Sequence, residues 1–74
     1  MKMLMPQIGM TMIEGTIESW KKAEGEMVTK GEIILEISTE KMVNEIESPA
    51  DGILHIIAKE GDIIACGEPV AEIE

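Results

Sequence analysis

Residues 32–48 read Glu-Ile-Ile-Leu-Glu-Ile-Ser-Thr-Glu-Lys-Met-Val-Asn-Glu-Ile-Glu-Ser. On both sides of Thr39-Glu40-Lys41-Met42 apolar residues alternate with polar ones, the pattern of two strands that each bury one face. Folding them back with Glu40 and Lys41 as the central turn residues sets Leu35 opposite Ile46 and Glu36 opposite Glu45. Apolar then meets apolar and charge faces outward, whereas a slip of one residue would reverse both faces. The facing acids repel mildly, an effect that solvent and salt weaken. Lys41 falls at the tip of this hairpin.

Working outward, a shift of 36 positions aligns Glu24-Gly25-Glu26 with Glu60-Gly61-Asp62, Gly31-Glu32 with Gly67-Glu68, and Glu36-Ile37 with Glu72-Ile73. Gly15-Thr16-Ile17 corresponds in the same way to Gly52-Ile53-Leu54, with one residue fewer before the next glycine. Two similar halves predict two like sheets related by an approximate two-fold axis, each too small to bury its apolar face alone. Strands are expected at residues 2–5, 15–22, 33–38, 43–47, 52–58 and 70–73, with Gly, Pro, Asp and Asn between them. Gly25 and Gly61 are expected to supply the positive φ of tight turns, and Gly31 and Gly67 to mark a second turn in each half. The hairpin carrying Lys41 joins the two halves.

Composition supports an all-β reading and excludes several functions. Thirteen Ile stand against three Leu and one aromatic residue, Trp20, and such β-branched enrichment favours strands. Seventy-four residues make one domain, residues 1–74, without room for an enclosed catalytic cleft. Fifteen acidic residues against six lysines and no arginine give a net charge of −9, so neither nucleic acid nor an anionic membrane is an expected partner. The apolar runs are too short for a membrane-spanning helix and no signal-peptide pattern opens the chain; the expected location is the cytoplasm.

The remaining chemistry-bearing side chains have plain structural readings. Cys66 has no partner for a disulfide, and with His55 alone it lacks the ligands of a zinc site; it reads as a small buried hydrophobe. His55, among Ile53, Leu54, Ile56 and Ile57, reads as a strand residue with its polar edge satisfied locally. Met1, Met3 and Met5 alternate as one face of a strand does, and Met10 and Met12 fall in the loop after it. Lys2, Lys21, Lys22, Lys30 and Lys59 read as solvated charge, and an exposed lysine on a turn is by itself equally ordinary.

What distinguishes Lys41 is its company. Met5-Pro6-Gln7-Ile8-Gly9-Met10-Thr11-Met12-Ile13-Glu14-Gly15, Trp20, Gly25, Gly31, Thr39-Glu40-Lys41 and Glu47-Ser48-Pro49-Ala50-Asp51-Gly52 together resemble the lipoyl domains of 2-oxo-acid and acetoin dehydrogenase complexes, members of the biotinyl/lipoyl carrier family. The resemblance covers essentially the whole chain. It implies a flattened barrel or sandwich of two four-stranded antiparallel sheets, with the modified lysine at one end and both termini at the other. The turn is a hybrid: Glu40 is the acid that lipoyl turns place before the lysine, and Met42 is the residue that biotinyl turns place after it. Biotin is therefore the alternative cofactor, and an unmodified structural or adaptor sandwich a third reading.

The resemblance further implies that a lipoyl ligase joins lipoate to Lys41 in an amide, reading Glu40 and Met42 beside it. Ile8, Gly9, Met10, Thr11, Met12, Ile13 and Glu14 would lie next to that turn and be recognised by a thiamine-diphosphate-dependent decarboxylase. The arm would carry acyl groups from that enzyme to an acyltransferase core and be reoxidised by a flavin dihydrolipoyl dehydrogenase. No catalytic side chain and no metal is expected on the domain itself. With no Pro/Ala-rich linker after Glu74, the chain reads as a domain cut from a longer protein, a dihydrolipoamide acyltransferase or a dihydrolipoyl dehydrogenase with a fused carrier, with a free-standing carrier as the alternative.

Overall fold

The computed structural model of the chain describes residues 1–39 and 42–74. Eight strands occur among them: β1 (Lys2–Leu4), β2 (Glu14–Trp20), β3 (Met27–Val28), β4 (Ile33–Thr39), β5 (Met42–Glu47), β6 (Gly52–Ile56), β7 (Ile63–Ala65) and β8 (Pro69–Ile73). They form two antiparallel four-stranded sheets, β1-β8-β6-β3 and β5-β4-β2-β7. Six strands match the sequence expectation within two residues at each end. The two additional ones, β3 and β7, are two and three residues long, too short to display any alternation in sequence.

Under the 36-residue shift β3 corresponds to β7 and β4 to β8, with β2 answering to β6, yet the halves do not each make one sheet. They interleave, because each turn of one half hydrogen-bonds a strand of the other. Gly25 N–H donates to the Leu54 carbonyl at 2.8 Å and Leu54 N–H to the Glu26 carbonyl at 2.9 Å. The equivalent turn repeats this on β2, where Gly61 donates to Ile17 at 2.8 Å and Ile17 to Asp62 at 2.9 Å. Gly31 and Glu32 grip Ser48 in the same manner, and Gly67 and Glu68 grip Met5. The glycines take φ of 85°, 92°, 89° and 92°, values that carry little cost only without a Cβ.

Acidic residues close these turns from within. The carboxylates of Glu26, Glu32 and Asp62 accept the amides of Ala23 at 2.7 Å, Thr29 at 3.0 Å and Lys59 at 2.9 Å, each three residues back. Part of the large negative charge therefore serves backbone that would otherwise lack partners.

Between the sheets lie Met3, Met5, Ile17, Val28, Ile34, Leu35, Ile37, Leu54, Ala58, Val70, Ala71 and Ile73. Two neighbouring residues are buried in β4 (Ile34, Leu35) and again in β8 (Val70, Ala71), which simple alternation forbids. A bulge explains each pair: the register steps from Ile33↔Glu47 to Leu35↔Ile46, and from Met3↔Ala71 to Leu4↔Pro69. Of the N-terminal methionines only Met3 and Met5 are core; Met1 is 64% exposed. The Trp20 indole donates to the Ala58 carbonyl at 2.8 Å, tying the end of β2 to the segment after β6. Gly15 and Gly52, equivalent in the two halves, start β2 and β6 where other groups come closest. A Cβ on Gly52 would stand 2.3 Å from the Glu74 carbonyl oxygen, and one on Gly15 would stand 2.8 Å from Ile37 Cγ2.

His55 is not satisfied locally but bridged from two distant places. Its Nδ1 lies 2.8 Å from Glu24 and its Nε2 2.8 Å from Glu74. Hydrogen bonding to Glu24 raises the imidazole pKa above its ordinary 6.5, with the charges of Glu74 and Glu24 adding to it. Glu24 is itself held below the usual carboxylate range, first by the Ile56 amide and then by His55. Lys21 and Lys22, expected as free surface charge, instead pair with Glu36 at 3.2 Å and Glu32 at 3.0 Å.

Two outcomes follow. Replacing Gly52 by Ala forces the β6–β8 backbones apart, and chemical denaturation should show a loss of about 2 kcal/mol or more, against about 0.5 kcal/mol or less for Gly9→Ala, where an added Cβ meets nothing within 4 Å. The raised His55 contributes stability that is fully present below its ordinary pKa and lost as pH rises through the folded value. The stability gap between the natural domain and His55→Gln should therefore be widest near about pH 5.5 and narrow toward about pH 9; a gap that widens with pH contradicts the bridge.

Candidate functional site

The β4–β5 hairpin has the register read from the sequence: Leu35↔Ile46, Glu36↔Glu45, Ile37↔Asn44, Ser38↔Val43 and Thr39↔Met42. The repulsion expected between Glu36 and Glu45 is met from the other side of the sheet. Glu36 accepts the Ser19 hydroxyl at 2.9 Å and pairs with Lys21, and these contacts hold its carboxyl below the usual range in that order. Thr39 and Met42 are the last paired residues, so two positions of chain, Glu40 and Lys41, connect them. Both lie outside the described residues, and the roles expected for them rest on sequence. Next to them Met42 is 64% and Val43 52% exposed, more apolar surface than a hairpin needs for its own folding.

The segment between β1 and β2 folds into a loop beside this end of the hairpin. Its foot is tied down by the β7–β8 turn, where Cys66 N–H donates to the Ile13 carbonyl at 2.9 Å and the thiol lies 3.5 Å from the Met12 carbonyl. Cys66 thus follows β7 in a turn and is half-buried, less enclosed than the buried hydrophobe expected from sequence. Its tip is organised by Gln7, whose side-chain amide reaches the carbonyls of Met10 at 3.3 Å and Met12 at 3.2 Å, and by the Met12 N–H bond to the Gly9 carbonyl at 3.1 Å. Met10 is thereby left 97% exposed, with Ile13 at 77% and Ile8 at 45%.

Between loop and hairpin runs an open groove of about 670 Å³. Ile8, Gly9, Thr11, Met12, Ile13 and Glu14 line one side, and Met42 with Ser38, Thr39 and Asn44 the other. Of the residues singled out in sequence and described here, Met10 alone stands clear of it. Asn44 was not singled out, although the register that pairs it with buried Ile37 puts a carboxamide where an apolar residue is the rule. Its Nδ2 is buried and has no hydrogen-bond partner among the described residues. Leaving such a donor unsatisfied costs about 1–3 kcal/mol. Gln7 belongs to the motif from Met5 to Gly15 but has no role of its own in sequence, because its contacts are to loop carbonyls that only the fold brings to it. Among the described residues no group of three or more His, Cys, Asp or Glu side chains is placed to hold a metal ion. The groove sets the apolar side chains of Ile8, Met12, Ile13 and Met42 among polar ones from Thr11, Ser38, Thr39 and Asn44, so it has room and both kinds of contact for the chain-like organic group that a modified Lys41 would carry.

Comparison with known proteins converges on one group. The family model described as "Biotin-requiring enzyme", covering biotinyl and lipoyl attachment domains, matches residues 1–73. The chain is 41% identical over 70 residues to the dihydrolipoyllysine-residue succinyltransferase component of the 2-oxoglutarate dehydrogenase complex of Cupriavidus necator, covering 93% of the chain and 17% of that protein. It is 40% identical over 73 residues to the dihydrolipoyllysine-residue acetyltransferase component of the acetoin cleaving system of Bacillus subtilis, covering 97% of the chain and 18% of that protein. The chain thus spans less than a fifth of the length of these relatives. Among solved structures, the lipoyl domain of the 2-oxoglutarate dehydrogenase complex of Azotobacter vinelandii superposes with a TM-score of 0.80 at 32% identity, over 99% of this chain and 94% of that one. Two interleaved four-stranded sheets, the hairpin register around residues 40–41 and these similarities lead to one conclusion: the chain belongs to the biotinyl/lipoyl carrier family, and within it to the lipoyl domains.

Proposed function

We propose that the chain carries lipoate in amide linkage on Lys41 and presents it to the enzymes of a 2-oxo-acid or acetoin dehydrogenase complex. The observation that carries this reading is the Thr39↔Met42 closing pair, which leaves the Glu40-Lys41 dipeptide as the whole connection between β4 and β5 in a lipoyl-domain fold. Lipoate so attached supplies a dithiolane able to take up an acyl group with its own reduction. The chain contributes presentation. The paired register of the hairpin ends at Thr39 and Met42, and a slip of one residue would reverse the faces of both strands. Tethering makes encounters between arm and active sites effectively intramolecular, with local concentrations reaching the order of millimolar.

The partners follow from the same reading. A lipoyl ligase modifies Lys41, guided by Glu40 and Met42. A thiamine-diphosphate-dependent decarboxylase recognises the loop from Ile8 to Glu14, whose exposed Ile8 and Ile13 line the groove together with Met42. An acyltransferase core and a flavin dihydrolipoyl dehydrogenase complete the cycle, in the cytoplasm, and the net charge of −9 steers the domain to basic rims on these enzymes. The parent protein on this reading is a dihydrolipoamide acyltransferase, and the domain itself is a carrier without catalytic side chains. A biotinyl carrier is the second reading, favoured by Met42 alone. Glu40 opposes it, because an apolar ligase pocket would have to desolvate that carboxylate without a partner.

Supplied with lipoyl ligase and lipoate, the domain should gain one lipoyl group, mapped to Lys41 by peptide mass, and Lys41→Arg should gain none; lipoate on Lys30 or Lys59 in that variant removes the positional argument. Given both ligases and both cofactors, the natural sequence should be lipoylated in preference, and Glu40→Met should begin to accept biotin. Efficient biotinylation of the unaltered domain reverses the order of the two readings.

A further inference from the structure

A neutral imidazole has one N–H to give, yet His55 faces a carboxylate with each of its ring nitrogens. Nδ1 stands 2.8 Å from Glu24 Oε2 and Nε2 2.8 Å from Glu74 Oε1. Both contacts at once need two N–H groups, so this bridge is the work of the imidazolium; with one proton fewer, a ring lone pair would point at a carboxylate. The two partners are not held equally. The other oxygen of Glu24 accepts the Ile56 N–H at 2.6 Å, whereas the exposed Glu74 carboxylate has no second partner among the described residues. Residue 74 is also the last rung of its sheet: Ile53 N–H donates to its carbonyl at 3.1 Å and its own N–H donates to the Ile53 carbonyl at 2.9 Å.

We propose that His55 is a proton-operated latch on the residue that follows β8: the imidazolium clasps Glu24 and Glu74 together, and the neutral ring keeps Glu24 through Nδ1–H and releases Glu74. The choice of partner follows from the geometry, because a carboxylate already fixed by a main-chain amide is an acceptor in place, and the tautomer of a neutral histidine is set by the stronger of its hydrogen bonds. The other charges on this face are Glu72, opposite His55 in the β6–β8 register, Lys2 beyond it on β1, and the Met1 amino group 3.0 Å from Glu72. Glu26, in the same turn as Glu24, has its carboxylate on the Ala23 amide instead. Bonding to Glu24, then the charges of Glu74 and Glu24, raise the His55 pKa above its ordinary 6.5. The latch is therefore shut below that ordinary value and opens as pH rises through the folded one. Opening is local, since Ile73 before it is buried and its N–H is held by the Met1 carbonyl at 2.8 Å.

The test is nuclear magnetic resonance on the whole domain between about pH 5 and about pH 9, the span across which a raised histidine changes charge. Ring nitrogen shifts should show neutral His55 with its proton on Nδ1, and the Glu74 side-chain carboxyl carbon should titrate with the His55 midpoint. Hydrogen-exchange protection of the Ile53 amide, corrected for the intrinsic pH dependence of exchange, should fall about threefold across the same step, the scale of an exposed ion pair. Glu74→Ala should remove the step at Ile53, lower the His55 midpoint and leave the neutral proton on Nδ1. A neutral ring with its proton on Nε2 overturns the proposal, as does an Ile53 step of equal size in Glu74→Ala. Neither result touches the carrier reading, which does not depend on His55.

Discussion

Four main-chain hydrogen bonds, two between Gly25-Glu26 and Leu54 and two between Gly61-Asp62 and Ile17, make the two halves of this chain inseparable. Each turn satisfies its own backbone by gripping a strand that belongs to the other half, so neither half has a complete set of partners alone. Each grip lies within one sheet, the first on β6 and the second on β2, so both sheets are built from strands of both halves. In a domain this small, where a modest core must offset the ordering of the whole chain, that mutual dependence lets two-, three- and five-residue strands act as one cooperative unit.

The hairpin is the place where the symmetry is put to use. β5 follows β4 without any intervening turn of the glycine type, and its paired register runs to Thr39 and Met42 without slack. The neighbouring loop is held as firmly at its foot by Cys66 and at its tip by Gln7. Loop and hairpin thus present a fixed pair of walls with apolar side chains outward, an arrangement that lowers the entropy cost of recognition by a partner.

Charge plays two roles in the molecule. Some carboxylates, those of Glu26, Glu32 and Asp62, are structural, closing turns and matching lysines or amides. Others, such as Glu14, Glu18, Glu45 and Glu47, remain outward and make the surface acidic. Glu36 shows how the two are reconciled: facing Glu45 across the hairpin, it is drawn toward Ser19 and Lys21 on β2, so a like-charge pair costs little.

Alternation and glycine spacing in the sequence were enough to determine the β class, the two-fold repeat, the turn glycines and the register that centres the hairpin on Glu40 and Lys41, because each of these depends on neighbours a few residues apart. The motifs from Met5 to Gly15 and from Glu47 to Gly52 likewise placed the chain in its family. Only the tertiary structure decided which half each turn grips, where the bulges bury Ile34 and Val70 beside their neighbours, that His55 is bridged by Glu24 and Glu74, and that β3 and β7 exist at all. It also decided that the loop from Ile8 to Glu14 and the hairpin enclose a groove lined in part by Asn44. These features arise from contacts between residues tens of positions apart, and a pattern of local propensities carries no record of which distant partner a backbone or side-chain group will meet.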